Sequence, residues 1–210
     1  MISMIESILP STKSKVRILK TIYENPGINI THVINKTKTS PTRTTKYIDI
    51  LAQYDVIEEK RAYGKNKSYM RLLKPNLSSD IGKMIFAFIE MDKKYNFLKK
   101  YKKLKPIIDQ LSELFEDTDT FCLIHGSFAR FSADEDSDID IFMVGKIDKE
   151  KRERISEIMV SLDRMYSIQV ESKDEFIKNI DDPFHQTVLE DHVVIFNENK
   201  FIDCLSKVLI

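Results

Sequence analysis

The chain has 210 residues, 42% hydrophobic and 31% charged, which supports a packed core and argues against disorder, and no apolar run approaches membrane-spanning length. Cys122 and Cys204 lie far apart among apolar neighbours and the four His are scattered, which disfavours a disulfide framework or a structural zinc site. The formal net charge of zero hides +8 over residues 1–76, +5 over 77–105 and −13 over 106–210, an asymmetry that predicts a polyanion as partner of the first part and metal cations or a basic protein as partners of the last.

The opening MISMIESILPSTKSKVRILK lacks the layout of a secretory leader, so a cytoplasmic protein is expected. From Ser11, apolar residues Val16, Leu19, Ile22 and Tyr23 recur at helical spacing and stop at Asn25-Pro26-Gly27. INITHVINKTK gives a second short helix with Ile30, Val33 and Ile34 on one face. TSPTRTTKYIDILAQYDV gives a third, with Ser40 as N-cap, Pro41 at the first helical position and Tyr47, Ile48 and Leu51 inward. Thr42, Arg43, Thr45 and Lys46 are left outward on its first turns. IEEKRAYGKNKSYMRLL then alternates as two strands around a turn at residues 63–67. Three helices followed by a basic hairpin resemble a winged helix-turn-helix domain. Thr42, Arg43, Thr45 and Lys46 would read base edges of double-stranded DNA, with Lys60, Arg61, Lys65 and Lys67 of the wing along phosphates.

Residues 77–105 predict a helical connector. Ile81, Met84, Ile85, Phe88, Ile89 and Met91 make a wide apolar face, followed by a lysine run. Such a face packs on the chain's own domains or forms a homodimer.

Residues 106–210 alternate helix and strand: a helix through Ile107, Ile108, Leu111, Leu114 and Phe115, a short strand TFCLIHGS, a helical turn at FARFSA, a strand SDIDIFMVG, a helix KEKRERISEIMVSLDRM, a third strand YSIQVESKDEF, then helix, strand and terminal helix. The pattern predicts a mixed sheet packed with helices, and an α+β chain of three parts: 1–76, 77–105 and 106–210.

HGSFARFSADEDSDIDIFMV places Gly126-Ser127 at a strand-to-helix turn and Asp138 and Asp140 on one face of the next strand. Adjacent carboxylates repel unless a hard cation lies between them, and Mg²⁺ is commonly held by one or two carboxylates plus substrate phosphates. A glycine turn with a hydroxyl can hold phosphate. The segment closely resembles the signature of the DNA polymerase β-like nucleotidyltransferase superfamily, and its minimal nucleotidyltransferases in particular; VLEDHVVIF also resembles their closing strand. The resemblance implies that Gly126, Ser127 and Arg130 bind the phosphates of an NTP, ATP above all, and that Asp138 and Asp140 hold Mg²⁺, with two metals possible. It also implies transfer of a nucleoside monophosphate to a hydroxyl acceptor, for which a HEPN-type partner protein is a candidate.

Two departures from the family pattern stand out. Phe131 occupies a position where the family usually has glycine. The family's third carboxylate, often in VDLV on the following strand, aligns with Gln169, which carries no charge, while Glu171 lies two residues on. Glu171 is therefore expected as the third catalytic carboxylate. The alternative is a transcription regulator whose transferase-like domain binds nucleotide or a partner without transfer; modification of tRNA or a small molecule fits the motif as well.

Overall fold

In a computed structural model the described residues are 4–63, 69–162 and 164–208. The chain divides into two compact units, with the boundary after Ile89.

The N-terminal unit begins with α1 (Met4–Ile8) and α2 (Lys13–Glu24), whose first turn is capped by the Thr12 hydroxyl accepting from Lys15 N at 3.3 Å. Ile18, Leu19, Ile22 and Tyr23 are buried, and the chain turns at Asn25-Pro26-Gly27. A two-residue strand β1 (Ile28–Asn29) follows, where the sequence pattern predicts only the start of a helix. It leads into α3 (Ile30–Thr37), capped by Asn29 Oδ1 accepting from His32 N at 2.9 Å. Then comes α4 (Pro41–Gln53). Ser40 stands at its N-cap position, but its hydroxyl makes no capping bond. Tyr47, Ile48 and Leu51 are buried as expected, and the Tyr47 hydroxyl donates to Ile8 O at 2.8 Å.

Strands β2 (Ile57–Tyr63) and β3 (Tyr69–Pro75) pair antiparallel from Ile57↔Pro75 to Tyr63↔Tyr69. β1 joins the other edge of β3 through Ile28↔Leu73, giving the order β1-β3-β2. Most of the expected wing turn, with Lys65 and Lys67, lies outside the described residues.

Helix α5 (Asp80–Lys100) carries the connector, and its packing corrects the expected apolar face. Ile85, Phe86, Ile89 and Phe97 are its buried apolar side chains, with the Glu90 carboxylate buried beside them, whereas Met84, Phe88 and Met91 are exposed. Apolar residues occur nearly all round this helix, so periodicity alone could not choose the inward stripe.

The C-terminal unit continues with a 3₁₀ turn (Lys102–Leu104), α6 (Lys105–Leu114), β4 (Phe121–His125), a single helical turn α7 (Gly126–Ala129) and β5 (Ile139–Val144). It ends with α8 (Lys149–Met159), β6 (Tyr166–Glu171), α9 (Lys173–Lys178), α10 (Pro183–Glu190), β7 (His192–Phe196) and α11 (Glu198–Leu205). The expected third strand is shorter than its sequence segment. Ser172 and Glu175 form a capping box that ends β6 and starts α9 inside ESKDEF.

The sheet order is β6-β5-β4-β7, with β5 and β6 parallel and the other pairs antiparallel. One face packs Cys122, Ile124, Ile139, Ile141 and Met143 against Ile107, Ile108 and Leu111 of α6 and Ile155, Ile158 and Met159 of α8. The other is aromatic: Phe121 meets Phe176 of α9 and Phe201 of α11 at 5.7 and 5.4 Å, and Phe142 meets Phe176 at 6.0 Å. Each buried phenylalanine contributes about 1.5–3 kcal/mol of burial free energy. Since Ile141–Val144 are all buried, β5 can carry a carboxylate only near its mouth.

Candidate nucleotide site and nucleic-acid interface

At that mouth β4 ends in His125, which faces Asp140 across the antiparallel register. Gly126 follows with φ +71, a conformation glycine adopts freely. A Cβ on Gly126 would lie 2.7 Å from Asp140 Oδ2, so glycine is needed both for the turn and for the carboxylate's seat. The other oxygen, Asp140 Oδ1, accepts from the Ser167 hydroxyl at 2.9 Å. A half-buried carboxylate is costly without partners, and the Ser167 hydroxyl supplies one. Asp138 is exposed in the turn just before β5, two residues from Asp140. Burial pulls the His125 imidazole below its ordinary pKa; Asp140 opposes that shift and Arg130 reinforces it.

The chain after the glycine turn folds back on itself: Ser132 N and Ala133 N both donate to Ser127 O, at 2.9 and 3.1 Å. Arg130 is half exposed and pairs with Asp191 at 3.6 Å. Phe131 has φ +58, which explains why glycine suits this position. The left-handed conformation costs a larger residue roughly 1–2 kcal/mol. Ring contacts with Phe97 and Tyr101 at 6.3 and 6.2 Å offset it, and Lys100 Nζ donates to Phe131 O. Arg164 Nη1 holds the acidic loop through Asp134 O at 2.8 Å and Ser137 O at 3.2 Å.

The expected third carboxylate is not there. In the parallel register Asp140 is level with Ser167, Phe142 with Gln169 and Val144 with Glu171. Glu171 shares the face of Asp140 but lies four residues deeper, about 13 Å at strand rise. Its Oε2 accepts from His185 Nε2 at 2.9 Å, and the buried His185 ring sits among Phe142, Phe176 and Phe184. Glu171 thus partners a core histidine, and Ser167 occupies the level expected of the carboxylate. Nothing in YSIQV marks Ser167, because pairing register is decided by the neighbouring strand.

The donor set suits a cation that arrives with its own ligands. Among the described residues no group of three His, Cys, Asp or Glu could hold a metal ion. Two carboxylates at a strand mouth beside a glycine turn match Mg²⁺ carried by nucleotide phosphates rather than enclosed by protein.

In the N-terminal unit Thr42, Arg43 and Lys46 are exposed on the first turns of α4, Thr45 is half-buried, and Lys60 and Arg61 are exposed on β2. Thr44, between them, points inward. Its hydroxyl is 2.7 Å from that of Thr39, which is 2.6 Å from that of Thr37, which donates to Val33 O at 2.7 Å. This hydroxyl chain fixes the turn between α3 and α4, where Lys38 adopts φ +52. Two further cations are consumed internally: Arg71 pairs with Glu59 and with Asp49 of α4, the latter at 2.6 Å, and Lys74 pairs with Glu58 at 3.0 Å. The hydrogen bonding that Arg71 donates to Glu59 leads the interactions that push the Arg71 pKa up. Arg61, opposite Arg71 in the ladder, lies over the Tyr69 ring at 5.2 Å.

Residues 102–201 match the family model described as Polymerase beta, Nucleotidyltransferase, and residues 12–58 match one described as Winged helix-turn-helix DNA-binding. A Methanocaldococcus jannaschii protein, named by inference as a protein adenylyltransferase, is 29% identical over 96 residues, which are 45% of this chain and 96% of that protein. No solved structure matches the chain significantly. No helix among the described residues is long and apolar enough to cross a membrane.

Proposed function

We propose that this chain, which joins a winged helix-turn-helix DNA-binding domain to a nucleotidyltransferase-type domain, transfers a nucleoside monophosphate from an NTP to a hydroxyl acceptor. The observation that carries this reading is the Asp140 carboxylate seated on Gly126, with Asp138 two residues before it. The acceptor oxygen would bond to the α-phosphorus as the bond to the β-phosphate oxygen breaks, releasing pyrophosphate and the hydroxyl proton. Ser127 and Arg130 would bind the phosphates, and Asp138 and Asp140 would hold Mg²⁺. Bound with the nucleotide, Mg²⁺ supplies charge neutralisation on the phosphate oxygens. Ser167 keeps the Asp140 carboxylate oriented but is a poor proton acceptor at neutral pH. The inferred name of the relative supports ATP as donor and a protein hydroxyl as acceptor, and a HEPN-type partner remains the candidate. Thr42, Arg43, Thr45, Lys46, Lys60 and Arg61 would contact duplex DNA, as would Lys65 and Lys67.

A second reading rests on Ser167. With a hydroxyl level with Asp140 instead of a carboxylate, the domain would bind nucleotide as a regulatory ligand without transfer. Labelled ATP with Mg²⁺ and candidate acceptor proteins separates the two. Transfer by the native chain, lost in Asp140→Asn and raised in Ser167→Asp, supports the enzyme. A native chain that binds MgATP in calorimetry yet transfers only as Ser167→Asp supports the regulator. Undiminished MgATP affinity in both Asp138→Ala and Asp140→Ala would sink the site assignment common to both.

A further inference from the structure

Helix α5 carries an apolar seam that the chain's own packing leaves largely uncovered. Ile81, Met84, Phe88, Met91, Tyr95 and Leu98 follow one another at spacings of three, four, three, four and three, the a/d repeat of a coiled-coil seam. The core takes a different face of the helix, through Ile85, Phe86, Ile89 and Phe97. At the centre of the seam Met84 is 50% exposed, Phe88 52%, Met91 50% and Tyr95 66%. Ile81 and Leu98, at its ends, are half-buried. Single exposed apolar residues need no explanation, but an aligned row of four does.

We propose that a second copy of this chain covers the seam, with the two α5 helices antiparallel about a two-fold axis between Phe88 and Met91. The spacing reads the same in both directions, so the seam is complementary to itself under that operation. Ile81 then faces Leu98 of the partner subunit, Met84 faces the partner's Tyr95, and Phe88 faces the partner's Met91. Charge selects the same direction. Exposed Asp80 precedes the seam, and exposed Lys99, Lys100, Lys102 and Lys103 lie at and beyond its far end. A parallel pair would bring the lysine ends together, whereas the antiparallel pair sets Asp80 level with the partner's Lys99. Four exposed side chains per copy bury less than the roughly 800 Å² per partner of a standard interface, so the dimer is concentration-dependent. Two-fold symmetry also doubles the DNA-binding unit, so its sites would be inverted repeats.

Sedimentation equilibrium on the full chain tests this independently of any transferase activity. A reversible monomer–dimer equilibrium is expected. Phe88→Glu should weaken dimerisation roughly tenfold or more, since each side gives up one buried aromatic. The Phe88→Glu, Met91→Lys double variant should recover dimerisation, because each glutamate then faces a partner lysine; in a parallel pair the same change would set like charges opposite each other. Unchanged circular dichroism in the variants establishes that these exposed substitutions leave the fold intact. A chain monomeric at all concentrations would overturn the proposal in favour of a different protein on the seam. A dimer indifferent to Phe88→Glu would overturn it as well, and failure of the double variant to recover would overturn the antiparallel register.

Discussion

In the N-terminal unit the candidate contact residues Thr42, Arg43, Lys46, Lys60 and Arg61 are exposed side chains on a scaffold built by others, namely the apolar stripes of α2 and α4 and the Thr37–Thr39–Thr44 hydroxyl chain. In the C-terminal unit the candidate site is part of the packing: Gly126 seats the Asp140 carboxylate, Ser167 fixes it, and the sheet register determines which residue lies level with it. The first kind of site is a sum of similar contributions and tolerates the loss of any one. The second depends on singular positions, where one added methyl group, as at Gly126, meets the Asp140 carboxylate and is expected to disrupt the site.

The sharpest contrast should come from Gly126→Ala. The added Cβ collides with Asp140 Oδ2 and the residue keeps φ +71. We expect MgATP binding to fall below detection in calorimetry, with a stability loss of about 1–2 kcal/mol in denaturant unfolding. Retained affinity would show that the seat of the carboxylate is not critical.

Thr44→Val keeps the shape of a scaffold residue but removes its buried hydroxyl, leaving the half-buried Thr39 without that partner. A loss of about 1–3 kcal/mol is expected from thermal unfolding of the chain. DNA affinity should change only as far as the folded population does. A larger loss of DNA binding in a fully folded variant would place Thr44 in the contact set and blur the line between scaffold and surface.

Next in size are the exposed cations. Lys60→Ala should weaken binding to all duplex sequences alike. It should also reduce the slope of log affinity against log salt by about 0.9 for each phosphate that the lysine neutralises, measured by fluorescence anisotropy. Arg43→Ala should in addition relax base preference. Arg71→Ala should leave that slope nearly unchanged, since its guanidinium is held by Glu59 and Asp49. Equal slopes for Lys60→Ala and the native chain would argue against a wing that touches phosphate.

The smallest expected difference is between two variants of Phe131. Both Phe131→Ala and Phe131→Gly remove the ring that packs on Phe97 and Tyr101, but only alanine keeps the cost of φ +58. The glycine variant should be the more stable by about 1 kcal/mol in denaturant unfolding. Equal stabilities would mean that the loop relaxes out of the left-handed conformation once the ring is gone.

Particular elements show what was legible beforehand. Local signals located α2, α3 and α4 of the N-terminal unit, though not the short α1: Val16 to Tyr23 ended by Asn25-Pro26-Gly27, and Pro41 opening α4, with the same inward residues Tyr47, Ile48 and Leu51. The short edge strand at Ile28–Asn29 was not legible, because two residues carry no period and are a strand only through pairing with β3. The Gly-Ser turn and the two aspartates were legible since their chemistry is compressed into one short segment that folds as strand, turn and strand.

Residue order along the chain therefore determined most of the longer elements, the basic and acidic division and the Asp138–Asp140 mouth. Tertiary structure decided two things that local pattern left open. The first was which side of α5 faces the core, since apolar residues on opposite sides of one helix compete for burial and only the neighbouring elements choose between them. The second was the level of β6 against β5. A parallel pair is joined by a crossover helix rather than a tight turn, so no local geometry sets its register. A shift of two residues keeps every side chain on its face while changing its neighbour across the pair. Non-local packing settled that choice, setting Ser167 beside Asp140 and sending Glu171 to His185.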